Sequence, residues 1–178
     1  MNILTLLLTA FCLTAPLQEN GYLLQTDHYS ILFPQKPTPQ DQTVDSKIGP
    51  LHIHMQIYDA SNAVGDGNVA YSVAETQYPD TSISSDRTDK LDKFFEATVN
   101  GAVNNVKGKL LSVAPIQLNG YPGRFLRIDY QDGVAVITMR AFLVKSTLYM
   151  MQTIAYTKND HNAASEAFMK SFRLKTGK

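Results

Sequence analysis

The spacing of apolar and polar positions changes period several times along the chain, and each change predicts an element. Leu51, Ile53, Met55 and Ile57 share one parity, while His52, His54, Gln56 and Tyr58 take the other. A period of two held over eight residues predicts a half-buried strand. Val69 to Tyr78 continues in the same way, with Val69, Tyr71 and Val73 on one face, and Pro79 stops it. Tyr22 to Gln25 and Tyr29 to Phe33 read as short strands split by Thr26-Asp27-His28. Between them and the alternating strand, Pro34 to Gly49 is polar and carries Pro34, Pro37 and Pro39. Proline removes ladder donors, so this stretch reads as a loop or an irregular edge.

The period then lengthens. Leu91, Phe94, Phe95, Thr98, Val99, Ala102, Val103 and Val106 recur at steps of three and four, which predicts one amphipathic helix. Ser84, Ser85 or Asp86 would cap it, Asp89 suits its first turn, and Gly108 would stop it. From Lys109 to Thr157 the chain reads as a four-strand meander, turned at Asn119-Gly120, Asp132-Gly133 and Lys145-Ser146-Thr147. Its last strands are apolar on both parities, which predicts a central sheet covered on both sides. A short helix starting near Asn159 or Asp160 would align Ala164, Phe168 and Phe172. These elements predict an α+β fold with a helix on each side of a layered, mainly antiparallel sheet.

The first residues differ from the rest. Met1 to Gln18 has no charged side chain, and Ile3 to Ala15 is apolar apart from threonines. Such a run is short for a bilayer span and suits a secretory signal, so 1–18 reads as a leader and 19–178 as one domain. Cys12, the sole cysteine, lies in the leader after Phe11 rather than after the small residue that lipid modification favours. A mature chain would then hold no cysteine, which excludes disulfides, zinc thiolates and cysteine nucleophiles. The sequence has no Asn-x-Ser/Thr acceptor. Export to a bacterial periplasm or cell surface fits best, with no transmembrane span in the mature chain. The 178 residues carry no net formal charge and no basic cluster, so nucleic acid is not an expected partner.

Candidate chemistry is sparse. His52 and His54, on one face of a strand, are the sharpest metal candidates, with Asp59, His28 or His161 as a third ligand. The plainer account is two solvated residues beside Gln56. No Gly-x-Ser-x-Gly elbow is present, and Gly65-x-Gly67 is too short for a dinucleotide fingerprint. Asp132 is accounted for by a turn, and Asp129 by pairing with Arg127 or Arg140. Arg127 belongs to the face opposite Arg124. Tyr121, Pro122 and Arg124 read as an exposed loop suited to recognition, with Gly120 and Gly123 supplying unusual backbone angles.

Several short motifs resemble one superfamily. Ile31-Leu32-Phe33-Pro34-Gln35-Lys36-Pro37 is similar to the Phe-Pro-x-x-Pro opening of many secreted bacterial proteins of the Mog1/PsbP-like superfamily. Leu118 to Arg124, Arg140-Ala141-Phe142-Leu143-Val144 and Leu148-Tyr149 resemble the middle of those proteins, and Ser171-Phe172-Arg173-Leu174 their end. The resemblance implies an α/β/α sandwich around an antiparallel sheet. Members with that fold range from a nuclear-transport GTPase regulator to a photosystem accessory subunit and envelope lipoproteins, so it implies no activity. The expected function is therefore an exported, non-catalytic accessory protein without a cofactor. It would bind an unknown protein partner in the cell envelope through Tyr121, Pro122 and Arg124 or through the stretch Pro34 to Pro50. The alternatives are a small-ligand or metal module using His52 and His54, and a hydrolase with a scattered site.

Overall fold

The computed structural model describes residues 21–46, 48–79 and 82–175. The expected leader over 1–18, Cys12 included, lies outside them. In chain order the elements are β1 (Tyr22–Gln25), β2 (Tyr29–Phe33), β3 (Thr38–Ser46), β4 (Gly49–Asp59), β5 (Asn68–Gln77) and α1 (Thr88–Asn105). There follow β6 (Lys109–Leu118), β7 (Tyr121–Tyr130), β8 (Ala135–Val144), β9 (Thr147–Tyr156), α2 (Ala163–Ser171) and β10 (Arg173–Leu174). The seven-stranded sheet runs β3-β4-β5-β9-β8-β7-β6, and a small sheet runs β1-β2-β10. Every recorded strand pair is antiparallel. The result is an α+β fold, mostly antiparallel sheet with two helices. Among the described residues no helix is long and apolar enough to cross a membrane.

Register sorts the core. Val73 lies opposite Met151, which lies opposite Arg140, and Tyr149 lies opposite Phe142. Tyr71, Val73, Phe142, Tyr149 and Met151 pack with Phe168, Met169 and Phe172 of the α2 segment and with Tyr29, Ile31 and Phe33 of β2. Leu126, Ile128, Ile137 and Met139 have the other parity, and they pack against Val99, Ala102 and Val103 of α1. The two-sided burial expected of the meander is present in β8, whose residues are buried on both parities.

Three elements differ from the sequence expectation. Thr38–Ser46 takes the edge alternative and not the loop, as a regular strand; all nine of its residues are exposed because it forms one edge of the large sheet. Its pairing with β4 is fixed by main-chain groups, to which an apolar pattern is blind, and Pro39, Asp41 and Asp45 guard that open edge. α1 begins later than its expected caps: Arg87 precedes it with no capping side chain, while Ser84 accepts from Arg87 N in a preceding turn. At its other end Lys107 takes the left-handed conformation (φ 51°), one residue before Gly108. Gly108 N donates to Val103 O and Lys107 N to Asn104 O, the paired bonds of a Schellman stop.

α2 starts at Ala163 because Asn162 caps it, accepting from Ser165 N at 2.8 Å. Asn159, expected near the start, ends a short 3-10 turn instead. The same Asn162 exchanges amide hydrogen bonds with Asn68 of β5 (3.0 Å each way), and Thr153 meets Ser165 at 2.5 Å. These bonds seat α2 on the large sheet with its buried polar groups satisfied.

Candidate functional site

The turn Asn119-Gly120 has φ of 51° and 85°, the positive pair that a two-residue hairpin demands. A turn this tight keeps its flanks paired, so Tyr121 opposes Leu118 and Pro122 opposes Gln117 in the ladder. Tyr121, Pro122 and Arg124 are therefore strand residues, not a loop tip. Strand alternation then separates them. Arg124 turns to the α1 face, with its guanidinium 4.6 Å from the Phe95 ring and an ion pair to Asp92 at 3.4 Å. Pro122 shares that parity. Tyr121 turns to the opposite face, so the three expected residues do not form one surface. Gly123 serves space rather than backbone angle: a Cβ there would lie 2.5 Å from Ala141 O and from Phe142 Cδ1.

Tyr121 belongs instead to a groove of about 560 Å³ at one end of the large sheet. Its walls come from the β1–β2 turn (Asp27, His28), the β8–β9 turn (Lys145, Ser146) and the end of β10 (Leu174, Lys175), with Tyr149 also lining it. Tyr29, Tyr149 and Phe172 stack in a triangle with centroids 5.4–5.7 Å apart. Beside them Glu75 accepts from His28 Nδ1 at 2.6 Å and from Tyr149 Oη at 3.4 Å. That bond joins the small sheet to the large one. Burial, and then the charge of Glu75, pushes the Tyr29 hydroxyl up to about 12, and the same two causes raise Tyr149. Both phenols are neutral hydrogen-bonding groups at physiological pH.

His52 and His54 do share one face of β4, both exposed. His54 Nδ1 donates to Asp41 at 2.7 Å, and His52 Nδ1 lies 3.0 Å from Thr43 Oγ1. Each expected third ligand is engaged by a neighbour: Asp59 accepts from Ser61 N, His28 holds Glu75, and His161 lies 3.7 Å from Asp160. Among the described residues, no three His, Cys, Asp or Glu side chains are gathered to hold a metal ion. Among the described residues Asp129 pairs with no arginine; it accepts from Gly133 N at 2.7 Å. Arg127 pairs with Asp160 instead. Arg140 is half-buried, a lesser contributor behind Lys170 to holding the Glu166 carboxyl below its usual range. The stretch Pro34 to Pro50, the other expected recognition surface, is mostly the exposed strand β3 and, at its end, the first residues of β4.

No protein-family model matches the chain, and no curated protein matches it in sequence. Among solved structures it is similar to the cyanobacterial PsbP (CyanoP) of Synechocystis sp. PCC 6803. The TM-score is 0.53 at 14% identity, over 94% of this chain and 99% of that one. It also matches a Pseudomonas aeruginosa protein of unknown function, PA94, with a TM-score of 0.45 at 11% identity, over 88% of this chain and 99% of that one. At these identities the likeness concerns the fold alone, and the fold of this chain is PsbP-like.

Proposed function

We propose that this chain is an exported, non-catalytic accessory module that binds a protein partner in the bacterial cell envelope, with the Tyr121 groove as its recognition surface. The apolar first segment supports export, and the layering of α1 and α2 supports an α/β/α sandwich of the Mog1/PsbP-like kind. One observation carries the binding assignment: Tyr121 and Tyr149 line a groove built from segments of both sheets, beside cationic side chains. Large amphipathic rings of this kind anchor protein contacts at low entropic cost.

The test is a crosslinking pull-down with the tagged mature protein from its native envelope fraction, read by mass spectrometry. Tyr121→Ala is expected to weaken capture of a reproducible partner about tenfold, the loss of one aromatic anchor worth ~1.4 kcal/mol. Arg124→Ala, on the opposite face, is expected to leave capture unchanged. Equal capture by wild type and Tyr121→Ala removes the groove as the recognition surface.

A second reading, metal binding at His52 and His54, rests on the bond from His54 Nδ1 to Asp41. Carboxylates orient metal-bound imidazoles in this way and leave Nε2 as the ligand. Zinc titration followed by calorimetry is expected to give one site in the wild type and none in His52→Ala/His54→Ala. Identical heats from the two proteins eliminate it.

A further inference from the structure

The groove has a charge bias that its binding role does not by itself require. Lys145 and Lys175 both line it and both are exposed. Among the described residues neither ammonium takes part in an ion pair. The lining's one carboxylate is that of Asp27, and His28 is engaged by Glu75. Glu75, the nearby acid, is 16% exposed and is occupied by His28 and Tyr149. The groove therefore presents cationic ends above an apolar floor.

One rim of the groove is an open strand edge. In the small sheet β10 has β2 on one side and, among the described residues, no strand on the other. Arg173 lies opposite Ser30, Leu174 lies opposite Tyr29, and Lys175 N donates to His28 O at 2.8 Å. Antiparallel strands alternate their main-chain groups, so residues 173 and 175 bond toward β2 and Leu174 turns its own N–H and C=O away from it. Leu174 and Lys175 line the groove. An extended chain laid there meets a main-chain donor and acceptor that point away from β2, the condition for strand addition.

We propose, resting on the binding role assigned to this groove, that its partner presents an extended acidic segment. That segment runs along the outer edge of β10, sets carboxylates on Lys145 and Lys175, and places an apolar side chain between Tyr121 and Tyr149. Charge complementarity with two unpaired ammoniums selects an acidic chain over a neutral or basic one.

The test uses ¹⁵N-labelled full-length mature protein and a pool of ten-residue peptides alternating glutamate with leucine or tyrosine. A matched pool with glutamine for glutamate is the control. Saturable amide shifts are expected at Leu174, Lys175 and Tyr121 with the acidic pool, weakening as salt is raised. Lys145→Glu/Lys175→Glu is expected to weaken binding at least about tenfold, equal to ~1.4 kcal/mol. Lys145→Gln/Lys175→Gln, a milder change at exposed positions, should weaken it by less. Equal binding of the two pools, no saturable shift with either, or an equal response to acetate alone overturns the proposal. The pull-down keeps the two readings apart. Capture lost with Tyr121→Ala but retained with Lys145→Glu/Lys175→Glu leaves a binding groove whose partner is not acidic. Capture retained by both variants removes both readings.

Discussion

Replacing Phe168 with alanine is expected to cost about 3–5 kcal/mol of folding stability. Phe168 sits on α2 with 3% of its surface exposed. Its ring meets Phe33 of β2 at 5.0 Å and Tyr71 of β5 at 5.2 Å, both edge-on. One side chain thus joins the helix, the small sheet and the large sheet. Its removal loses transferred apolar area and two aromatic contacts, and leaves a gap between layers held by different segments. A groove of about 400 Å³ already reaches Phe33, Tyr71 and Phe168 from outside, so water can enter the gap and the lower half of the range is expected. Against a typical total of about 5–15 kcal/mol, such a loss leaves a marginal protein. Urea unfolding should show a lower midpoint at an unchanged slope. A loss below about 1.5 kcal/mol, the range of a volume-conserving swap, would mean that Phe168 does not carry the α2 contact. The consequence reaches the recognition groove, because Phe172, Leu174 and Lys175 follow α2 directly.

The path from sequence to this architecture is uneven for physical reasons. Leu51 to Tyr58 was legible as a strand because its apolar parity is half-buried while His52 and His54 are exposed, although Tyr58 of the second parity packs on the core beside Tyr71. The meander was legible because Asn119-Gly120 favours a tight two-residue turn and because β8 is buried on both parities. β3 was legible only as a loop or an irregular edge, since an exposed edge strand is held by its neighbour's main chain, and its prolines and carboxylates resemble a loop. The opposed directions of Tyr121 and Arg124 follow from strand parity once a two-residue turn is granted. Reading the residues after Gly120 as a loop concealed that. The groove itself left no local signal. Its lining comes from residues near 27, 77, 120, 146 and 174, which only the docking of the small sheet on the large one brings together. Proximity likewise offers Asp129 either Arg127 or Arg140, and Arg127 takes neither that partner nor a local one. Its true partner is 33 residues away, placed by the turn that precedes α2.

That ion pair carries the second large effect: Asp160→Asn is expected to destabilise the protein by about 2–4 kcal/mol. The Arg127 and Asp160 side chains are only 17% and 19% exposed, and the guanidinium donates to Asp160 Oδ2. Arg127 Nε is buried with no hydrogen-bond partner among the described residues, so the group is already incompletely satisfied. Removing the carboxylate's charge leaves a cation in a poorly solvated place, which costs far more than the pair itself contributes. The residual exposure of both partners places the expected loss toward the lower part of the range for fully buried pairs. The loss should change little between low and high salt, unlike that of an exposed pair such as Lys109–Asp132. Arg127→Met/Asp160→Asn distinguishes the two accounts of the pair. If the cost of the single variant is a stranded charge, the double variant, with an apolar chain of similar length, returns to within about 1 kcal/mol of wild type. If the double variant is as unstable as the single one, the ion pair holds the turn before α2 in place, and its geometry rather than its charge balance is what the fold requires.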